Sequence, residues 1–74
     1  MQEEVFQLIA DVMGIDKSMV NINSSPQTLD EWDSMNHMRL ILSLEETFGI
    51  RFVENDIMNM EDVEAIIKCI ESKQ

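Results

Sequence analysis

The chain has very few of the residues that cross-link small proteins or hold metals. Its 74 residues include one cysteine and one histidine, which leaves no intramolecular disulfide and no Cys/His set with the spacing of a structural zinc site. No apolar run approaches the roughly 20 residues that cross a bilayer. The N-terminus lacks the basic and apolar regions of a signal peptide. We therefore expect residues 1–74 to form a single cytoplasmic domain, monomeric and held by an apolar core.

Basic residues are also scarce. Five lysines and arginines face 15 acids, which gives a net charge of −10. This excess opposes binding to nucleic acid and to anionic membranes, and it favours partners with basic surfaces. An ordinary alternative is that the acids only keep a small domain in solution. Their placement is uneven, because nine of the 15 fall between residues 30 and 62.

Apolar residues recur every three or four positions in three segments, the spacing of an amphipathic helix. The segments are 3–13, 34–48 and 61–72. Their apolar stripes consist of Val5, Leu8, Ile9 and Val12; of Met35, Met38, Ile41, Leu42, Leu44 and Phe48, broadened by Leu40; and of Val63, Ile66, Ile67 and Ile70. The only two glycines, Gly14 and Gly49, follow the first two segments and are expected to end those helices in the left-handed conformation.

The segments between the helices are less regular. Residues 15–33 hold turn formers around Pro26 and predict a long loop. Thr28 to Glu31 looks like a capping box, which favours a helical turn before Trp32. Residues 50–60 favour a short third helix, and Asn59 is the expected cap of the last one. With no alternating strand pattern, the predicted fold is an all-α four-helix bundle with three long helices, a short third helix and a long first loop.

Seven methionines make the apolar set unusual. We expect Met38, Leu42, Met58 and Met60 to lie between the second and third helices. Because methionine is flexible and adapts to irregular gaps, these side chains predict a cavity that opens to accept an apolar chain. Ordinary core filling explains the same composition equally well.

Asp33-Ser34 with His37 three residues later invites comparison with hydrolases. The G-x-S-x-G turn that exposes a catalytic serine is missing, and a small helical bundle offers little concave space for a substrate. We therefore expect no catalysis and a His37 that faces solvent. The acids at 30, 31 and 33 lack the spacing of a calcium-binding loop, so no metal site is predicted.

Ser34 is better suited to anchor an anionic group. A serine at the start of a helix lies where free backbone N–H groups and the helix dipole favour a phosphate ester. Asp and Ser are also among the commonest helix caps, so the residues alone leave both interpretations open.

At this point the chain resembles the acyl carrier proteins. Asp33-Ser34-Met35 is similar to the family's Asp-Ser-Leu/Met motif, residues 40–50 to its second helix and exit, and residues 63–67 to its last helix. The resemblance covers nearly the whole length. It implies a non-catalytic carrier whose Ser34 accepts 4′-phosphopantetheine from coenzyme A through a Mg²⁺-dependent phosphopantetheinyl transferase, and whose arm then carries acyl groups as thioesters.

The resemblance also implies where partners dock. Acyl-handling enzymes with basic patches are expected to contact Asp33, Glu45 and Glu46, with Met35 as an apolar contact. Fatty-acid carriers usually have acids where this chain has Asn36 and Arg39, so Arg39 repels the usual partners. Trp32, in place of a small residue, is expected to anchor the loop on the bundle.

These departures favour a specialised carrier in a fatty-acyl, polyketide, lipid or surface-polysaccharide pathway, with cargo and chain length left open. The alternatives are an aminoacyl or peptidyl carrier domain and an unmodified acidic helical adaptor.

Overall fold

The computed structural model describes residues 1–74 and contains four α-helices with no strand. The helices are α1 (Gln2–Met13), α2 (Ser34–Phe48), α3 (Glu54–Asn59) and α4 (Val63–Lys73), with a single 3-10 turn at Lys17–Met19. This confirms the all-α prediction of three long helices, a short third helix and a long loop between the first two. None of these helices has the length and apolar character needed to span a bilayer.

The two glycines end α1 and α2 as predicted. Gly14 and Gly49 have φ angles of 71° and 64°, and their N–H groups donate to the carbonyls of Ala10 and Glu45. Steric crowding does not explain the two glycines, because an added Cβ would meet no atom within 4 Å at either position. The left-handed backbone explains them, since residues with a side chain are strained in that conformation.

Aspartate side chains cap the N-terminal ends of α2 and α4. The Asp33 carboxylate accepts the N–H of Asn36 at 2.8 Å at the start of α2, and Asp62 accepts the N–H of Ala65 at 2.8 Å at the start of α4. The predicted cap at Asn59 is therefore wrong, because α4 begins only at Val63.

The capping box predicted at Thr28 is also wrong. The Thr28 hydroxyl accepts the Ser25 N–H at 2.9 Å and donates to the Ser25 carbonyl at 3.1 Å. A threonine hydroxyl bonds to a preceding turn as readily as to a helix start, and here it closes the turn around Pro26. The loop is joined to the last helix by the N–H of Val63, which donates to the Ser24 carbonyl at 3.0 Å.

The core is a single cluster of 17 buried apolar residues drawn from all three long helices and the long loop. In α2, Leu40 is completely buried while Leu42 is 62% exposed and Met35 72% exposed. The predicted apolar stripe of this helix is therefore wrong at two positions. It placed Leu42 in the core and treated Leu40 only as a residue that broadens the stripe. Apolar residues surround more than half of this helix, so packing rather than spacing decides which of them face inward. The packing involved is largely that against α1.

Helix α3 is held differently, because none of its six residues is fully buried. Asp56 accepts the N–H of Val53 at 3.0 Å and lies 2.8 Å from the Lys73 ammonium near the end of α4. The hydrogen bond from Lys73 lowers the pKa of the Asp56 carboxyl, and the same bond raises the pKa of Lys73. The Lys73 ammonium also lies 5.9 Å from the centre of the Phe52 ring, within cation–π range. Polar contacts thus hold α3 where apolar burial is scarce.

Asp56→Asn is expected to lower the melting temperature at neutral pH, because the amide keeps an acceptor for Val53 but loses the charge that attracts Lys73. A carboxyl whose pKa is lower in the folded than in the unfolded state stabilises the fold fully at pH values above its ordinary pKa of 3.8. This stabilisation is lost as the pH falls through the folded-state pKa. The difference between variant and wild type should therefore vanish in strong acid. Melting curves by circular dichroism at pH 7 and in strong acid measure it, and a difference that persists in acid contradicts the role of the charge.

Candidate functional site: the groove beside Ser34

An open groove of about 770 Å³ lies between the first turns of α2, the helix α3 and the end of the long loop. Ser34 stands at its edge. We call it the Ser34 groove, and it is lined by Pro26, Gln27, Trp32, Asp33, Ser34, His37, Met38, Ile57, Met58, Met60 and Glu61. Residues that are far apart in the sequence, from 26 to 61, are brought together here.

Ser34 is the first residue of α2, and it is exposed. Asp33 uses the N–H of Asn36, whereas the N–H groups of Ser34 and Met35 have no partner within the chain. The positive end of the α2 dipole is therefore open to solvent beside the Ser34 hydroxyl. An anion esterified to this oxygen is favoured by the dipole and by the free donors.

Trp32 and His37 form a hydrogen-bonded pair in the floor of the groove. Trp32 is only 3% exposed, which confirms that it anchors the loop, and its indole N–H donates to His37 Nδ1 at 3.0 Å. His37 Nε2 lies 3.4 Å from the Ile57 carbonyl. The prediction that His37 faces solvent is wrong, because the ring is half-buried and linked to both neighbouring segments. With both nitrogens directed to Trp32 and Ile57, the ring offers no base to Ser34.

Three of the four residues predicted for an apolar cavity line the groove. Met60 is buried, while Met38 and Met58 are 48% and 70% exposed. Leu42 does not belong to this set, because it lies on a second depression with Glu45, Glu46 and Arg51. Leu42 lies on nearly the same side of α2 as Met38, because four residues carry the helix slightly more than one turn, but it is one turn further along and outside the groove. In this structure the methionines form the wall of an open groove rather than a closed pocket within the core.

The two acids near the end of α2 differ in their surroundings. The Glu45 carboxylate accepts the N–H of Phe52 at 2.8 Å and is half-buried, whereas Glu46 is exposed. The sequence predicts both as docking residues and gives little sign of the internal hydrogen bond of Glu45. The only local signal is the helix end at Gly49, after which the next backbone N–H groups need acceptors.

Arg39 is held near the first turn of α2 by a short chain of hydrogen bonds. Its guanidinium donates to Asn36 Oδ1 at 3.2 Å, and Asn36 Nδ2 donates to the Glu31 carbonyl at 2.8 Å. Met35 is 72% exposed on the same helix. The surface that follows Ser34 therefore carries one ordered cation and an exposed apolar side chain.

Comparison with known proteins identifies the family of this chain. A family described as a phosphopantetheine attachment site matches residues 3–70. The chain belongs to the acyl carrier protein family. Acyl carrier proteins of Chlamydia felis and Chlamydia caviae are 34% and 32% identical over 74 residues, covering all of this chain and 95% and 96% of theirs. That of Solidesulfovibrio magneticus is 31% identical, covering 97% of this chain and 92% of its own.

Membership of the acyl carrier family assigns a role and a cofactor. Such a protein is a carrier rather than an enzyme, and its prosthetic group is a covalently attached 4′-phosphopantetheine. The residues of the Ser34 groove fit that group. An exposed hydroxyl and free N–H groups suit its phosphate, and an open groove of about 770 Å³, lined in part by apolar side chains, lies beside them.

Glu45→Ala and Glu46→Ala form a matched pair that separates internal from external roles. We expect Glu45→Ala to lower the free energy of unfolding by about 1.5–3 kcal/mol, because a charged acceptor of a backbone N–H is lost. Glu46→Ala should change it by less than about 0.5 kcal/mol, since the residue is exposed. Urea unfolding followed by circular dichroism measures both. Equal losses, or a larger loss for Glu46→Ala, would contradict the internal role of Glu45.

Proposed function

We propose that Ser34 is the attachment residue and that the protein carries acyl groups in the cytoplasm as a single monomeric domain spanning residues 1–74. One observation carries the assignment: the exposed Ser34 hydroxyl lies at the first turn of α2 and on the rim of a groove. When bound, 4′-phosphopantetheine supplies a terminal thiol that holds the acyl group as a thioester.

Attachment is a substitution at phosphorus. The Ser34 oxygen bonds to the phosphorus atom next to the pantetheine of coenzyme A, the bond to the adenosine bisphosphate leaving group breaks, and the serine proton passes to a base of the transferase. The Mg²⁺ that this reaction requires is assigned to the transferase by the resemblance to the acyl carrier family. Ser34 itself only has to be reachable, which its exposure provides.

The residues of the Ser34 groove explain what the carrier gains from its fold. Met38, Met58 and Met60 present adaptable apolar surface to the attached chain, which covers part of an acyl group that water would otherwise surround. Attachment also raises the effective concentration of the acyl group at each enzyme on which the carrier docks.

Docking is proposed on the α2 face near Ser34. Asp33, Glu46 and the exposed Met35 are available to a partner with a basic patch and an apolar contact, and Glu45 offers its remaining carboxylate oxygen. The net charge of −10 attracts such partners over distance and disfavours nucleic acid and anionic membranes.

Intact mass spectrometry tests the attachment. After incubation with coenzyme A, Mg²⁺ and a broad-specificity phosphopantetheinyl transferase, the protein should gain the mass of one phosphopantetheinyl group and one titratable thiol beyond Cys69. No gain with a transferase that modifies another carrier in the same tube would overturn the proposal and leave an unmodified acidic adaptor.

We further propose that Arg39 directs this carrier to a specialised pathway, because an ordered cation stands where the usual basic partners require an acid. Arg39→Glu is expected to raise the rate of acyl loading by fatty-acid synthase partners by about two- to fivefold, the scale of one exposed ion pair. Arg51→Glu makes the same charge change beyond the far end of α2 and serves as the control. Equal effects of the two variants, or no gain with Arg39→Glu, would exclude Arg39 as the discriminating residue.

A further inference from the structure

Three segments that line the Ser34 groove meet at a single imidazole ring. His37 belongs to the first turns of α2, Trp32 lies at the end of the long loop, and the carbonyl of Ile57 belongs to α3. We call the two contacts of His37 with these partners the His37 bridge. The bridge links the residues on either side of Ser34 to the opposite wall of the groove.

The chemistry of the partners determines the proton positions. An indole N–H only donates, so His37 Nδ1 must accept from Trp32 and the ring proton lies on Nε2, directed at the Ile57 carbonyl. The rings also stack, with centroids 6.2 Å apart and planes inclined at 24°. At 3.0 Å the contact with Trp32 is an ordinary hydrogen bond, while the 3.4 Å contact with Ile57 is longer than usual and therefore weaker. If one side of the bridge opens, it is the side facing α3.

Helix α3 is held at this end by few hydrogen bonds, although Ile57 packs partly against the core and the buried Met60 follows the helix directly. It is six residues long with no fully buried side chain, and a helix this short depends on tertiary contacts. Asp56 and Lys73 hold its first turn. Near its end the Ile57 carbonyl receives only the Met60 N–H at 3.4 Å and His37 at the same distance.

We propose that the His37 bridge sets the width of the Ser34 groove, so that His37 is a positioning residue that limits the length of acyl chain sheltered by this carrier. The inference rests on the proposed attachment at Ser34. A chain that passes from Ser34 between α2 and α3 has to separate the two helices beside Met38 and Met58, the neighbours of His37 and Ile57 in the sequence. That separation breaks the contact with Ile57, whereas a short chain lies in the open groove and leaves it intact.

Two conservative variants divide the bridge into its halves. In His37→Asn the amide oxygen lies near the position of Nδ1 and still accepts from Trp32, but the side chain no longer reaches Ile57. In His37→Gln the amide lies near the position of Nε2 and still reaches Ile57, but no longer accepts from Trp32. Met38→Leu changes the adjacent groove wall without touching the bridge and is the control.

The first measurement uses the unmodified protein and amide hydrogen exchange by NMR. We expect exchange in α3 to be about two- to tenfold faster in His37→Asn than in wild type, on the scale of one lost hydrogen bond. Exchange of the Trp32 indole proton, the only indole in the chain, should instead be faster in His37→Gln. Unchanged α3 exchange in His37→Asn, or equal acceleration in Met38→Leu, would overturn the bridge.

The second measurement uses protein loaded with saturated acyl chains of increasing length and follows thioester cleavage by hydroxylamine. Protection of the thioester should stop rising at a shorter chain in wild type than in His37→Asn, while His37→Gln should follow wild type. Leu42→Ala, a change at an exposed position of α2 outside the groove, is the control here and should also follow wild type. Identical length profiles in wild type and His37→Asn would overturn the limit on chain length. If the wild-type protein takes up no phosphopantetheine, both the proposed function and the limit on chain length are overturned. The exchange measurement uses unmodified protein and therefore still decides whether the bridge holds α3.

Discussion

Ser34→Ala should take up no phosphopantetheinyl group under conditions that modify the wild-type protein completely. The phosphate ester needs the serine oxygen, and the alanine methyl group offers no replacement. The fold should survive the change, because Ser34 is exposed, alanine favours helix, and the cap of α2 is the Asp33 carboxylate. We expect the free energy of unfolding to stay within about 0.5 kcal/mol of wild type. Loss of uptake then reports the missing hydroxyl rather than a lost structure.

Ser43→Ala is the matched control, since Ser43 is on the same helix and away from the groove. It should gain the full mass of one group. Intact mass spectra of the three proteins, taken with circular dichroism spectra, complete the test. A mass gain by Ser34→Ala would place the attachment elsewhere, and loss of uptake in Ser43→Ala would mean that the transferase responds to some general property of α2.

Leu40→Ala should destabilise the fold far more than truncation of an exposed apolar residue of α2. Leu40 is 0% exposed at the centre of the core, and removing a buried leucine side chain costs about 2–5 kcal/mol because a cavity remains. A domain of this length has a total stability of only about 4–11 kcal/mol. Urea unfolding followed by circular dichroism should therefore show a midpoint shifted to much lower urea, with part of the protein unfolded before urea is added if the loss is at the upper end.

Leu42→Ala provides the same chemical change two residues later on the same helix. Leu42 is 62% exposed, so its loss should change the free energy of unfolding by less than about 0.5 kcal/mol. In the structure Leu40 faces the core and Leu42 faces solvent. Equal losses of stability in the two variants, or a larger loss in Leu42→Ala, would contradict this orientation of α2.

Local requirements explain the parts of the fold that were predicted correctly. Gly14 and Gly49 mark helix ends because only the backbone of one residue has to adopt the left-handed conformation, and that residue shows in the sequence. The turn formers around Pro26 and the apolar periods of α1 and α4 are local in the same sense. The family assignment also came from contiguous residues, with Asp33-Ser34-Met35 at the centre, and the match over residues 3–70 confirms it.

Errors arose where a residue's partner lies elsewhere in the chain. His37 resembled a solvent-facing histidine because neither Trp32, five residues earlier, nor the carbonyl of Ile57, 20 residues later, is recognisable as its partner in the sequence. Glu45 resembled Glu46 because the bond to the Phe52 N–H forms only after the chain turns at Gly49.

The sequence by itself determined the presence of the four helices, the ends of α1 and α2 at their glycines and the serine that begins α2, because each depends on residues close to one another in the chain. Only the tertiary structure decided that Leu40 faces inward and Leu42 outward, that the methionines line an open groove, and that His37 joins its two walls. An apolar pattern that surrounds most of a helix specifies burial without specifying direction. Direction follows from tertiary packing, which for α2 is largely that against α1.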